Sequence, residues 1–371
     1  MTINGILFWL MAIPVALLVI FVLVLVHELG HFVTARLVGI RVLEFGIGFP
    51  PRARVLAHRG GVDYTLNWLP IGGFVRMEGE EQDSDDPHSF NNAGLRRQLL
   101  VLVAGVFMNV VAAFVLFFIV AWFFNPTVVL NANYIVPGGA ADKGGLPAGA
   151  KVESIDGQRY GFISTQDLRD GISARAGQTV TIGYVDLDGS HKTMTVTLGT
   201  DASKGILGVA CLAPSAPPKS TCNLESVAYS STDPASAART AWAQTIGSLQ
   251  IIGKTLGDLV AEAASNPGTA PAGVSGPVGI VQAVGVALLD YGPVILLLLA
   301  GLLSANLALM NILPIPPFDG GKMAIMVIKR AFGLRAVSRY EIAVNLAGFV
   351  LLLAFVGWIT YFDIVRIGSG G

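Results

Sequence analysis

The chain has 371 residues, of which 53% are hydrophobic and only 13% charged. Soluble domains carry roughly 25% charged residues, so the composition excludes an ordinary water-soluble enzyme and points to an integral membrane protein. A formal net charge of −1 leaves no global basic field, which excludes nucleic acid as a partner.

Met1 to Val26 carries no ionisable side chain, and a membrane-crossing helix needs about 20 apolar residues. The segment lacks the basic start and small-residue cleavage site of a secretory signal, so residues 1–38 are expected to stay as a first membrane helix. The apolar run ends in Val24-Leu-Val-His27-Glu28-Leu-Gly-His31-Phe. His27 and His31, at i and i+4, share one helix face one turn apart, as two imidazoles on one tetrahedral metal require. Glu28 lies beside the first, where a carboxylate can take a proton from water whose pKa zinc lowers to about 7. His-Glu-x-x-His on a helix is a zinc hydrolase pattern. On a soluble helix the same residues make a solvated face, but ionisable groups at the membrane are expensive and point to function.

Residues 39–97 change character. Leu43-Glu-Phe-Gly-Ile-Gly-Phe and Val62-Asp-Tyr-Thr-Leu-Asn-Trp alternate in part, and Gly72-Gly73 precedes Phe74-Val-Arg-Met; this predicts short strands or a β-hairpin. Gly46-x-Gly48 runs into Pro50-Pro51 rather than a helix, so it is no phosphate loop. Residues 98–124 form the second predicted span, inside a charge-free window from Leu99 to Ala141.

Residues 130–212 are expected to be one soluble α+β module. Val136-Pro-Gly-Gly-Ala-Ala-Asp-Lys-Gly-Gly-Leu and Val152-Glu-Ser-Ile-Asp-Gly, a helix near Ser164–Ala174, and alternating strands at Thr179–Val185 and His191–Leu198 resemble a PDZ domain. Such domains bind an extended peptide or chain end by adding a strand to a sheet edge; Ala150 departs from the Asp often found there. Cys211 and Cys222 form a disulfide or stay as two free thiols. Residues 213–290 are expected to hold a Pro/Ser-rich linker and helices, with helical spacing over Ala235–Ala264 and a break at Asn266–Gly273.

The third predicted span, residues 291–321, runs into Asn311-Ile-Leu-Pro314-Ile-Pro316-Pro317-Phe-Asp319-Gly320-Gly321. Three prolines stop the helix, and irregular backbone at membrane depth is tolerated only where it lines a cavity. Asp319 just beyond the break is the candidate third metal ligand, because His58, His88 and His191 are scattered over soluble segments. A helix over 322–341 and a fourth span over 342–364 complete the chain. Thirteen of the 24 basic residues fall from Arg36, at the end of span one, to Arg97 or between spans three and four. By the positive-inside rule those segments face the cytoplasm, which places both termini and the 130–212 module outside and the metal site towards the cytoplasmic side.

The His27-Glu-Leu-Gly-His31 motif, the Gly72-Gly73-Phe-Val-Arg-Met hairpin, the PDZ-like module and Asn311-x-x-Pro-x-Pro-x-x-Asp319-Gly-Gly resemble, over nearly the whole chain, the site-2 protease family. The nearest type is the bacterial enzyme of regulated intramembrane proteolysis that cleaves anti-sigma factors. The resemblance implies zinc on His27, His31 and Asp319, Glu28 as general base, and Asn311, with Asn306 earlier, facing substrate or oxyanion. Departures are a single PDZ-like module, Phe318 in place of Leu, and Pro50 after Phe49 in place of Gly.

The expected fold is therefore a mainly α polytopic membrane protein with four transmembrane helices, a cytoplasmic membrane-associated β-hairpin and an extracytoplasmic PDZ-like domain. The expected activity is zinc-dependent cleavage of membrane-spanning substrates such as anti-sigma factors, in a bacterial cytoplasmic membrane. Expected partners are that substrate, the lipid bilayer, and a peptide or chain end at the PDZ-like module. The rival readings are a catalytically silent PDZ-bearing receptor or scaffold, and a metal transporter, for which no internal repeat is found.

Overall fold

The computed structural model describes residues 3–80, 84–160, 168–200, 205–210, 225–265, 275–332 and 338–368. Cys211, Cys222, the expected break at 266–273 and the 164–167 start of the expected helix lie outside the described residues. The chain divides into two compact units, Met1–Phe117 with Ser248–Gly371, and Phe118–Gly247.

The first unit opens with α1 (Ile3–Leu37). It is apolar on all sides through its first six turns, with Leu7, Leu10 and Leu18 exposed, as suits a helix surrounded by lipid. Strands β1 (Val42–Arg59) and β2 (Val62–Met77) follow and pair antiparallel. Gly60 and Gly61 join them at φ 62° and 77°, values that a two-residue hairpin turn needs and that glycine adopts without strain.

The strands double back on themselves. Phe45 has partners in both Val75 and Tyr64, and Ile47 in both Gly73 and Leu66. Among the described residues the 73–77 arm of β2 thus pairs with β1 on one side only. Burial alternates from Val42 to Gly48 and gives way to exposure as far as Arg59. Phe45 stacks edge-on against Phe32 of α1 with ring centroids 5.1 Å apart. Ile40, Val42, Val62, Met77 and Phe90 join Val101 and Leu102 in a small core; the last two belong to α2 (Leu95–Phe123). This core fastens the sheet beside the end of α1 that carries the histidines.

In the second unit, β3 (Thr127–Ala132), β4 (Tyr134–Ile135), α3 (Ala140–Lys143), β5 (Ala150–Ile155), α4 (Leu168–Ser173), β6 (Thr179–Val185), β7 (His191–Thr197), β8 (Val209–Ala210) and β9 (Glu225–Ala228) follow in order. The main sheet runs β7-β6-β5-β3-β9 with antiparallel neighbours, and β4 pairs with β8. Val152, Ile155, Leu168 and Ile182 are fully buried in its core. Helix α5 (Pro234–Ser265) begins after Asp233, whose Oδ1 accepts the N–H groups of Ala235 and Ser236 at 3.0 Å each. That satisfies donors the first turn otherwise leaves unpaired.

The first unit resumes within α5 and continues through α6 (Pro277–Leu289), α7 (Pro293–Ile312), α8 (Asp319–Phe332) and α9 (Ser338–Gly368). The apolar stretch ahead of the third span is thus a separate short helix, α6. Asp363 of α9 accepts the Gly279 N–H in the first turn of α6 at 2.8 Å. Helix α7 stops before Pro314, and the chain re-enters a helix at Asp319 rather than near 322. A carboxylate in a first turn complements the helix dipole. Only glycine lets this turn approach so closely: a Cβ on Gly320 would lie 2.2 Å from the Leu313 carbonyl oxygen. Four segments, Gly5–Leu37, Leu95–Phe123, Pro293–Ile312 and Ala343–Ile367, are long and apolar enough to cross a membrane.

Candidate metal centre

Helix α1 presents His27 and His31 on one face, each 6% exposed. Their Nε2 atoms lie 3.1 Å apart. Asp319, in the first turn of α8, brings Oδ2 to 3.1 Å from each of them. The three atoms form a triangle of equal sides.

The tautomers follow from the outer bonds. His31 Nδ1 donates to the Val101 carbonyl of α2 at 2.8 Å, so the Nε2 of its neutral imidazole offers a lone pair. That lone pair faces a carboxylate oxygen and a second imidazole nitrogen, an electron-rich cluster that a cation among the three atoms would stabilise. Tetrahedral zinc, with bonds of roughly 2.0–2.1 Å, separates its ligand atoms by about 3.3 Å. Donor set and spacing both fit the ion.

A buried orphan atom makes the same point. Asn109 of α2 is fully buried, and its carboxamide nitrogen lies 3.3 Å from His27 Nδ1 while its Oδ1 has no partner. With Nε2 of His27 turned to a metal, Nδ1 carries the proton and must donate. A half-turn of the carboxamide, equivalent in shape, puts Oδ1 on that N–H and gives the oxygen its donor. Ser304 of α7 donates to the Asn109 carbonyl at 2.8 Å, which ties α7 to the same stretch of α2. Between Val101 and Asn109 lies Gly105, where a Cβ would stand 2.4 Å from His31 Nε2. Only glycine leaves room there for the imidazoles.

Glu28 stands beside the triangle: its carboxylate and the two imidazoles have ligand atoms all within 4.8 Å of one another. Its Oε2 accepts the Val75 N–H from the 73–77 arm of β2 at 3.1 Å, which holds one oxygen and leaves the other for chemistry. A cavity of about 1050 Å³ is bordered by Glu28, His31 and Asp319 and continues along Phe74 to Met77. Lys322, on the same wall, donates to Glu80 at 2.8 Å.

The structure thus brings together His27, Glu28, His31 and Asp319, the four residues expected from the two motifs. Asn311 and Asn306 are half-buried in α7 and are not among the residues that border the cavity. His58, His88 and His191 pair instead with Asp63, Asp86 and Glu153. Asn109, Gly105 and the N–H of Val75 were not singled out from sequence. Asn109 had a signal, as the only carboxamide in the otherwise apolar 99–124 run.

The model of peptidase family M50 matches residues 15–355. A Clostridium acetobutylicum protein named as a zinc metalloprotease is 31% identical over 358 residues, covering 95% of this chain and 97% of that protein. A Clostridium perfringens protein of the same designation is 31% identical, covering 94% of this chain and 97% of its own. The protein named as the protease Eep of Enterococcus faecalis is 26% identical, covering 93% and 96%. With its four apolar helices and a buried donor set that fits zinc, the chain belongs to peptidase family M50, the site-2 protease family, and is a multi-pass membrane zinc metalloprotease.

Proposed function

We propose that this chain is an intramembrane endopeptidase that cuts the membrane-spanning segments of single-span proteins such as anti-sigma factors. The observation that carries the reading is the convergence of His27, His31 and Asp319 at 3.1 Å spacing on a helix apolar enough to cross a membrane, with Glu28 alongside.

His27, His31 and Asp319 hold the ion in this reading. Zinc, when bound, supplies Lewis acidity towards a peptide carbonyl and makes water nucleophilic at neutral pH. Glu28 takes the proton of the attacking water on its free carboxylate oxygen and delivers it to the leaving amine nitrogen as the C–N bond breaks. The Val75 N–H keeps that carboxylate oriented. Asn311, in the last turn of α7, is the proposed oxyanion donor, on the strength of the family resemblance; such a donor contributes about 3 kcal/mol.

A helix in lipid has its amides bonded internally, so the scissile segment must unwind. The 73–77 arm of β2, flanked by β1 on one side only and bonded to Glu28, supports docking of the unwound segment as an added strand. The 130–212 module is proposed to be the PDZ-like filter on the outer side, admitting substrates already trimmed there. The arginine- and lysine-rich segments, and the metal centre with them, are proposed to face the cytoplasm of a bacterial inner membrane.

The test is reconstitution of the full chain in vesicles with a tagged single-span anti-sigma factor, and mass mapping of the products. A cut within the span by wild type and none by Glu28→Gln is expected. Zinc-loaded wild type that cuts no spanning segment overturns the reading and favours a receptor or scaffold.

A further inference from the structure

Two carboxamides on the cavity wall are left incomplete in the same way. Asn67 of β2 is 5% exposed. Its nitrogen donates to the Gly48 carbonyl at 3.1 Å and lies 3.4 Å from Thr65 Oγ1. Bonding to a carbonyl settles which end of the group is nitrogen, so the oxygen is turned away from those partners. That oxygen, Oδ1, is shut off from solvent and accepts nothing from the described residues. Asn345 of α9 has the same defect: its Oδ1 is buried with no donor among the described residues. Both residues border the cavity that holds Glu28, His31 and Asp319.

Buried acceptors are nearly always paired, and each exception calls for a cause. Asn109 has its cause in His27. For Asn67 and Asn345 no such partner is found among the described residues; the Arg52 guanidinium, opposite Asn67 in the sheet, bonds Glu44 instead. They share only the cavity, and they reach it from two different elements, the doubled sheet and α9. A carboxamide oxygen needs an N–H or O–H donor. The ligand class that offers N–H groups at regular intervals, and that has just lost its own acceptors, is a peptide segment pulled out of its helix.

We propose that Asn67 and Asn345 are substrate-positioning residues whose side chains turn into the cavity when it is filled, so that their carboxamide oxygens, shut into the wall in its absence, accept backbone N–H groups of the unwound substrate segment on either side of the scissile bond. The inference rests on the proteolytic reading above and adds to it what holds the substrate in extended form. Helix α9 suits such a role. Gly348, one turn after Asn345, packs so closely on Pro316 that a Cβ there would lie 2.4 Å from the Pro316 carbonyl oxygen. Asn345 is thereby referenced to the proline segment that delivers Asp319.

The experiment is an ester scan. In a single-span substrate, each backbone amide flanking the cut is replaced in turn by an ester, which deletes one N–H. Each substrate is offered to full-length wild type, Asn67→Ala and Asn345→Ala, with zinc content checked in each. In wild type, two esters are expected to raise KM about five- to tenfold, the weight of a single hydrogen bond, with kcat little changed. The Asn67→Ala variant should be indifferent to one of those esters and Asn345→Ala to the other, the signature of direct pairing in a double-mutant cycle. A flat scan in wild type overturns the inference alone, whatever the folding of the variants. So does an ester penalty that persists undiminished in both variants. Wild type that cuts no spanning substrate at all overturns the proteolytic reading and this inference together.

Discussion

Asp319 Oδ2 stands 3.1 Å from His27 Nε2 although 292 positions separate them in the chain. Their meeting depends on three local causes. The proline segment stops α7, Gly320 lets α8 begin against the Leu313 carbonyl, and Gly105 opens α2 to the imidazoles. Each cause is a place where a single substitution has a defined effect.

Removing a ligand and removing the base are expected to separate. His27→Ala and Asp319→Ala should lose both zinc and cleavage. Glu28→Gln should keep zinc while activity falls by at least about a hundredfold, the usual weight of a general base. Metal analysis and cleavage rates on the same preparations check this. Full activity in Glu28→Gln contradicts the role given to Glu28.

Asn109→Leu keeps the volume of a buried side chain but removes the partner of His27 Nδ1. Loss of such an outer partner typically costs 10–100-fold in metal affinity or activity. Competition with a zinc chelator should show weakened retention in this variant. Unchanged retention contradicts the account of the orphan oxygen.

Gly105→Val drives a branched side chain into the space of His31 Nε2, which a bare Cβ already approaches to 2.4 Å. The expected result is loss of zinc and activity with the secondary structure intact, read by metal analysis and circular dichroism. Gly247→Ala, where a Cβ meets nothing within 4 Å, is the control and should bind zinc as wild type does.

Val75→Pro deletes the N–H that Glu28 accepts. Proline is tolerated at sheet edges where no ladder bond is lost. Zinc content should hold, and kcat should fall roughly ten- to a hundredfold as the carboxylate loses its orienting bond, worth about 1.5–3 kcal/mol to a charged group. Unchanged kcat contradicts the orienting role.

Acid should loosen the segment that packs Phe90 into the core. The Asp86 carboxyl is held below the usual carboxylate range, first by the His88 N–H at 2.8 Å and then by the Arg41 guanidinium. A depressed folded value means that the stabilisation is present above the unfolded value of about 3.9 and is lost as pH falls through the lower folded one. Amide exchange around 84–90 should quicken there relative to the general trend, and Asp86→Asn should remove the excess. An identical profile in Asp86→Asn contradicts this.

Much of the first unit was legible because its signals are local. Charge-free windows mark where α1, α2, α7 and α9 are apolar, and His27, Glu28 and His31 announce their shared face through the helical period alone. The start of α8 at Asp319 was missed because it depends on a contact between Gly320 and a carbonyl across the proline segment. The doubled pairing of β1 was missed for a related reason. Alternation at Val42–Gly48 reveals one buried face, but not that Phe45 has a neighbour on each side. Asn109 and Gly105 mean nothing without the neighbouring helix, since their significance is set by imidazoles some 80 positions away.

The central claim is that one zinc ion sits among His27, His31 and Asp319. The most direct measurement is an anomalous difference map, recorded at the zinc edge, from crystals of the zinc-loaded full-length protein. A single strong peak is expected about 2.0–2.1 Å from both Nε2 atoms and from Oδ2. A peak elsewhere, or density bound by the histidines with Asp319 turned away, would contradict the account.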